Sequence, residues 1–237
     1  MKKVLLLTSV LLALTAAVAL AGGVNFNWGT VCYTEAPMSA ITFACNTNAG
    51  VWHMVSSFVS DVEETDMVGF ELTMIGQSDQ AILPDWWKLG APPDCRTGKA
   101  SFLVDFSTAP QTSCIDWTGA NATPAYIPSS YVSNGSSVFI LTGAAIGPDF
   151  PFDILPGTEY YAGDLRITNS KVVGTGPCTG CNYGMYWCAQ LITVAGLGGM
   201  RIDLTQPLHT GSNCLIWNNY IVASRNTTWG QVKSLYR

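Results

Sequence analysis

The sequence predicts an all-β protein: a single antiparallel β-sandwich braced by disulfides, with a short C-terminal helix. Three observations predict it. Apolar residues recur with period two along several short segments, which is the pattern of strands with one face buried. Clusters of Gly, Pro, Asn and Asp separate those segments, and no long amphipathic pattern supplies the crossover helices a parallel sheet needs. Eight cysteines follow an N-terminal stretch laid out like a secretory signal. Composition agrees. Charged residues are 11% of the chain against about 25% in an average soluble protein. Hydrophobic residues are 48%, which excludes a disordered chain.

The elements follow in order. Lys2 and Lys3 precede an apolar run over 4–20, and Ala19-Leu-Ala21 has the small residues a signal peptidase requires. Residues 1–21 are therefore read as a signal peptide. Cleavage leaves 16 acidic and nine basic side chains, and no later stretch is long and apolar enough to span a bilayer. An acidic chain without a basic stripe argues against nucleic-acid binding. Residues 22–223 are read as the sandwich. Phe70, Leu72 and Met74 alternate with polar residues, as do Phe102, Val104 and Phe106, then Leu165 and Ile167, then Ile202 and Leu204. The stretches 51–59, 137–141, 187–194 and 214–222 read as more deeply buried strands. Residues 109–134, rich in Ser, Thr, Ala and Pro, read as a long connection between sheets.

Cys32, Cys45, Cys95, Cys114, Cys178, Cys181, Cys188 and Cys214 all lie beyond the signal segment and predict up to four disulfides. Sequence proximity favours Cys32 with Cys45 and Cys95 with Cys114, leaving the last four to pair among themselves. Cys178-Thr-Gly-Cys181 also has the spacing of a redox pair or half a zinc site. Its Gly- and Pro-rich flanks point instead to a loop, and an oxidising compartment favours disulfides. No metal or cofactor is expected.

Catalytic signals are sparse. His53 lies in a strand-like run and His209 in a loop, and no nucleophile elbow, zinc-protease motif or phosphate loop is present. Asp61, Glu63, Glu64 and Asp66 offer hard oxygens for calcium but lack the spacing of an EF-hand, and read as surface charge. Trp86 and Trp87 are the candidate ligand-binding residues. Adjacent residues of a strand face opposite ways, so one ring of the pair leaves the core unless the chain bends; it then either stacks on a sugar or is covered by a loop while the other packs the core.

Residues 224–237 read as a tail. Thr228-Trp-Gly-Gln231 has the form of a capping box. Trp229, Val232 and Tyr236 then share a helical face, and Lys233 and Arg237 complement the dipole in the last turn. The segment is a candidate sorting or docking tail.

Asn27-Trp28, Thr42-Phe-Ala-Cys-Asn-Thr-Asn48, Leu83-Pro-Asp-Trp-Trp87 with Cys95, Gly157-Thr-Glu-Tyr-Tyr161 and Cys178-Thr-Gly-Cys181 with Cys188 together resemble uncharacterised secreted bacterial proteins with a Cys-rich β-sandwich. The strand Val68-Gly-Phe-Glu-Leu-Thr-Met74 is loosely similar to those of cohesin-like and carbohydrate-binding sandwiches. The ending 228–237 resembles C-terminal ends that recur on otherwise different secreted bacterial proteins. The motifs that carry this resemblance look structural and transfer no activity; it is the sparse catalytic signals and the secretory layout that favour a non-catalytic extracellular binding or structural module, secreted or at the cell surface. Its partner would be another extracellular or surface component, a glycan included. The alternatives are a carbohydrate-binding module and, behind it, a secreted hydrolase.

Overall fold

Two sheets and one shared core make up the part of the chain that the computed structural model describes, residues 22–106, 114–118 and 125–220, with backbone alone over 125–130. Strands β1 (Gly23–Trp28), β3 (Val51–Val59), β9 (Glu159–Thr168) and β5 (Ala100–Leu103) form an antiparallel four-stranded sheet in that order. The eight-stranded sheet runs β2 (Ala40–Ile41), β12 (Cys214–Trp217), β10 (Met185–Gly196), β4 (Glu64–Ser78), β7 (Ser137–Ala145) and β6 (Ala125–Asn134). Two short strands complete it: β11 (Arg201–Leu204) pairs with β10, and β8 (Phe152–Ile154) with β4. All pairings are antiparallel except β2 with β12. Among the described residues no helix reaches seven residues.

Period-two patterning sets which side chains meet. Val24, Phe26, Trp28, Met54, Phe58 and Leu165 point inward from the smaller sheet. Leu72, Met74, Ile140, Trp187, Ile192 and Leu215 point inward from the larger, and all join one apolar cluster. The β1 edge is closed. Val24 and Phe26 N–H donate to Gln206 O (2.8 Å) and Ser212 O (2.7 Å), and Trp28 N–H donates to Met38 O (2.9 Å). The residue next to Met38, Ser39, accepts from Ile216 N–H on the larger sheet (2.7 Å). Backbone hydrogen bonds thus carry one sheet into the other along this side, leaving no free edge there.

The period-two strands around 70–74, 165–167 and 202–204 appear where expected, and β3 covers the predicted 51–59. But β5 ends at Leu103, short of Val104 and Phe106, and β12 ends at Trp217 within the predicted 214–222. The connection predicted over 109–134 is corrected in its second half, since 125–134 is strand β6. Pro128 and two serines hide it, because proline breaks a ladder. The structure absorbs the proline with a register shift between Ile127 and Ser130. β1 was not anticipated either. Its alternate positions are Asn25 and Asn27, poor strand formers that here are fully buried and hydrogen-bonded. The signal segment 1–21 and the C-terminal helix expected over 229–236 lie outside the described residues.

Every described cysteine is paired, but of the pairings that proximity predicts only Cys188–Cys214, within the last four, is formed. The bonds are Cys32–Cys114, Cys45–Cys181, Cys95–Cys178 and Cys188–Cys214. Cys188 and Cys214 face each other across β10 and β12, and the other three bonds join loops that are 82 or more residues apart in sequence. Cys32 and Cys114 meet over the outer face of the four-stranded sheet, beside Val55 and Tyr161. Cys178 and Cys181 diverge around Gly180, whose φ of +94° and contact with Pro84 suit no side chain. Non-reducing peptide mapping should recover these four bonds and no free thiol; a Cys32–Cys45 peptide would contradict the topology.

Arg96 is the least expected core residue. Its guanidinium lies 3.6 Å over the Trp86 ring and is completely buried. Nη1 donates to Trp86 O (2.8 Å), Nε to Ser170 O (3.2 Å) and Nη2 to Thr168 O. Desolvation lowers its pKa to about 9, so at neutral pH it remains a cation held by carbonyls and a ring face. Arg96→Ala strands those carbonyls without a donor. It should destabilise the fold by about 3 kcal/mol or more, lowering the Tm by about 6–12 °C in thermal unfolding.

Candidate functional site

Trp86 and Trp87 do not form an exposed platform. Both rings are 0% exposed. The segment Asp85–Trp87 is a single 3-10 turn and not a strand, so successive side chains are not forced to opposite faces. Both rings turn inward and meet edge to face at 4.7 Å. Trp86 stacks on Trp217 (5.3 Å), and Trp87 reaches Trp187 (5.7 Å). The outward ring that a strand would present to a sugar is not realised, because both rings lie in the core. Trp87→Ala removes a core side chain. It should cost about 3–5 kcal/mol, read as a Tm fall of roughly 6–20 °C; an unchanged Tm would argue against the burial.

The outward face of the four-stranded sheet is polar but covered. Glu159, on β9, accepts from Asn25 Nδ2 (3.0 Å), Ser57 Oγ (2.5 Å), Thr34 N–H (3.3 Å) and Thr34 Oγ1. These bonds tie the segment after β1 down onto β3 and β9. Further along, buried Asp164 accepts from His53 Nδ1 (2.7 Å) and Arg166 Nε (2.8 Å) through one oxygen, while its other oxygen is buried without a partner. Burial, reinforced by Asp164, pushes the Tyr161 phenol well above its ordinary range. A histidine held by a buried carboxylate is the orienting half of a base. Among the described residues, however, no hydroxyl or thiol is hydrogen-bonded to His53, and no group of three acidic, His or Cys side chains is placed to hold a metal. Asp61, Glu63 and Asp66 are exposed around the β3–β4 turn.

The outward face of the eight-stranded sheet is different. The register puts Val132 opposite Phe139, Phe139 opposite Ile75, Ile75 opposite Cys188, and Cys188 opposite Cys214. This row crosses five strands, about 19 Å at the usual strand spacing. Leu141, Thr73 and Leu191 form the next row. Val132 is 57% and Phe139 39% exposed, and Ile75, Leu141 and Leu191 are half-buried. Val132, Phe139 and Ile75 line a shallow groove of about 380 Å³. The rims are polar: Asn134, Ser137 and Gln77 on one side, Glu71, Thr193 and Asp203 on the other. The Asp203 carboxyl is held below its ordinary pKa by hydrogen bonds from Thr193 and Arg201.

This band was not singled out from sequence, although a signal was present. Residues 138–141 are four apolar residues in succession, which reads as a strand buried on both faces. In the structure only Val138 and Ile140 enter the core. A solvated sheet face is ordinarily polar, so apolar residues at its outward positions are the departure that marks the surface.

No family model matches this chain, and no curated protein matches it. Among solved structures, a cohesin module of a family 33 glycoside hydrolase from Clostridium perfringens is similar over 79% of this chain and 98% of that one, at 7% identity and a TM-score of 0.35. So loose an overlap carries no argument about function. Four disulfides fit an extracellular protein, and no described helix is long and apolar enough to cross a membrane.

Proposed function

We propose that the protein is a non-catalytic extracellular binding module that uses the outward face of the eight-stranded sheet to hold a protein partner. In this reading residues 1–21 direct export, 22–223 form one antiparallel sandwich, and 224–237 are a tail. The observation that carries it is the apolar row Val132–Phe139–Ile75 with Leu141 and Leu191 beside it. Such a band inside a polar rim has the layout of a protein interface, with an apolar centre that loses water on binding. A sugar partner would call for an exposed flat ring beside polar groups, and the two tryptophans nominated for that role are interior. Both sheets and four disulfides hold the band rigid, so little ordering cost opposes association.

The test places a photo-reactive benzoylphenylalanine at Phe139 and exposes the full chain to the secreted and surface proteins of its source cells. The expected result is one discrete protein adduct, lost when Ile75→Glu and Val132→Glu are added. Labelling that is diffuse, or equal to that from a probe at His53 on the other sheet, would overturn the reading.

A further inference from the structure

The described chain leaves the fold beside this same apolar band. After β12 it turns through Asn218 and Asn219, both at positive φ, and the Tyr220 ring stacks on Tyr186 at 5.5 Å. Tyr186 is an outward residue of β10, opposite Gln77 on the polar rim. A Cβ at Gly184 would lie 2.5 Å from Tyr220 Cα, so only glycine lets the departing backbone pass there. Residues 221–237 therefore start at the border of the band.

Their chemistry complements what they start beside. All sixteen acidic residues lie at or before Asp203, and residues 22–220 set only six basic side chains against them. Residues 221–237 hold Arg225, Lys233 and Arg237 and no acidic residue. Trp229, Val232 and Tyr236 supply apolar surface. Reach is sufficient. The nine residues from Tyr220 to Trp229 span up to about 30 Å, while the strands from β10 to β6 cover about 14 Å.

We infer that residues 221–237 fold back in the same molecule, setting Trp229, Val232 and Tyr236 on the Val132–Phe139–Ile75 band with the basic side chains toward the acidic body. The tail is then the band's resident occupant, and any partner of that face must displace it. This concerns the isolated chain, so it stands or falls separately from the existence of a partner.

Trypsin reads it directly, because Arg225 and Lys233 are cleavage sites within the segment. The full-length disulfide-bonded protein is digested alone and cleavage after each residue is followed by mass spectrometry. Wild type should be cut at these sites about tenfold more slowly than a Val132→Glu/Phe139→Glu chain, since seating must open before cleavage. Trp229→Ala lies outside the sandwich strands and should accelerate cleavage similarly, which keeps the test valid if the double variant folds poorly. Protection should be independent of protein concentration. Equal rates in wild type and Trp229→Ala overturn the inference. Protection that grows with concentration also overturns it, because the tail would then lie on a second copy.

Discussion

Trp217 is the ring against which the rest of the interior is arranged. It is fully buried, and Trp28, Phe43, Trp52, Trp86 and Trp87 have ring centroids within 6.0 Å of it. Those rings come from the smaller sheet, the segment after β2 and the 3-10 turn, so one side chain of a four-residue strand touches three separate parts of the fold. Its indole N–H donates to Cys181 O (2.8 Å), which fixes the loop carrying two of the disulfides. Aromatic rings bury large area with few torsions to freeze, so a short strand located by rings needs little ladder to hold it. Arg96 caps the same cluster from outside, with its charge spread over the Trp86 face.

Much of this frame was legible in the sequence. Period two exposed the long strands, because a half-buried strand has to alternate. What escaped was structure whose chemistry contradicts its surroundings. Strand β6 contains a proline, β1 presents asparagines to a buried layer, and Arg96 sits where no charge is expected. In each case the compensating partner is remote: a register shift against β7, Glu159 for Asn25, carbonyls of β9 and its following turn for Arg96. The Trp86–Trp87 pair was misread for a simpler reason. A two-residue aromatic run looks alike in a strand and in a 3-10 turn, and only the turn sends both rings inward. The apolar band was hidden because four consecutive apolar residues look the same whether the second face is buried or open.

The two outward faces divide the labour of the molecule. On the smaller sheet, polar residues are spent internally: Glu159 accepts from β1, β3 and the Thr34 segment, and buried Asp164 accepts from His53 on β3 and Arg166 on its own strand. On the larger sheet, an apolar row of Val132, Phe139 and Ile75, with Leu141 and Leu191 beside it, runs between polar rims. A carboxylate can be buried when enough donors surround it, but an exposed leucine or phenylalanine gains nothing until something covers it.

The connectivity of the disulfides has a consequence for how the chain matures. Synthesis delivers Cys32, Cys45, Cys95 and Cys114 first, and of these only Cys32 and Cys114 are native partners. Cys45 and Cys95 await residues 136 and 83 positions downstream. An oxidant acting on the emerging chain therefore meets two thiols whose nearest neighbours are all wrong. Correct maturation depends on delaying oxidation until the 178–181 loop has closed over the tryptophans, or on an isomerase that reopens early bonds by thiolate exchange. The yield of active protein is then governed by oxidant supply and reshuffling rate, a kinetic vulnerability that no equilibrium measure of the finished fold reveals.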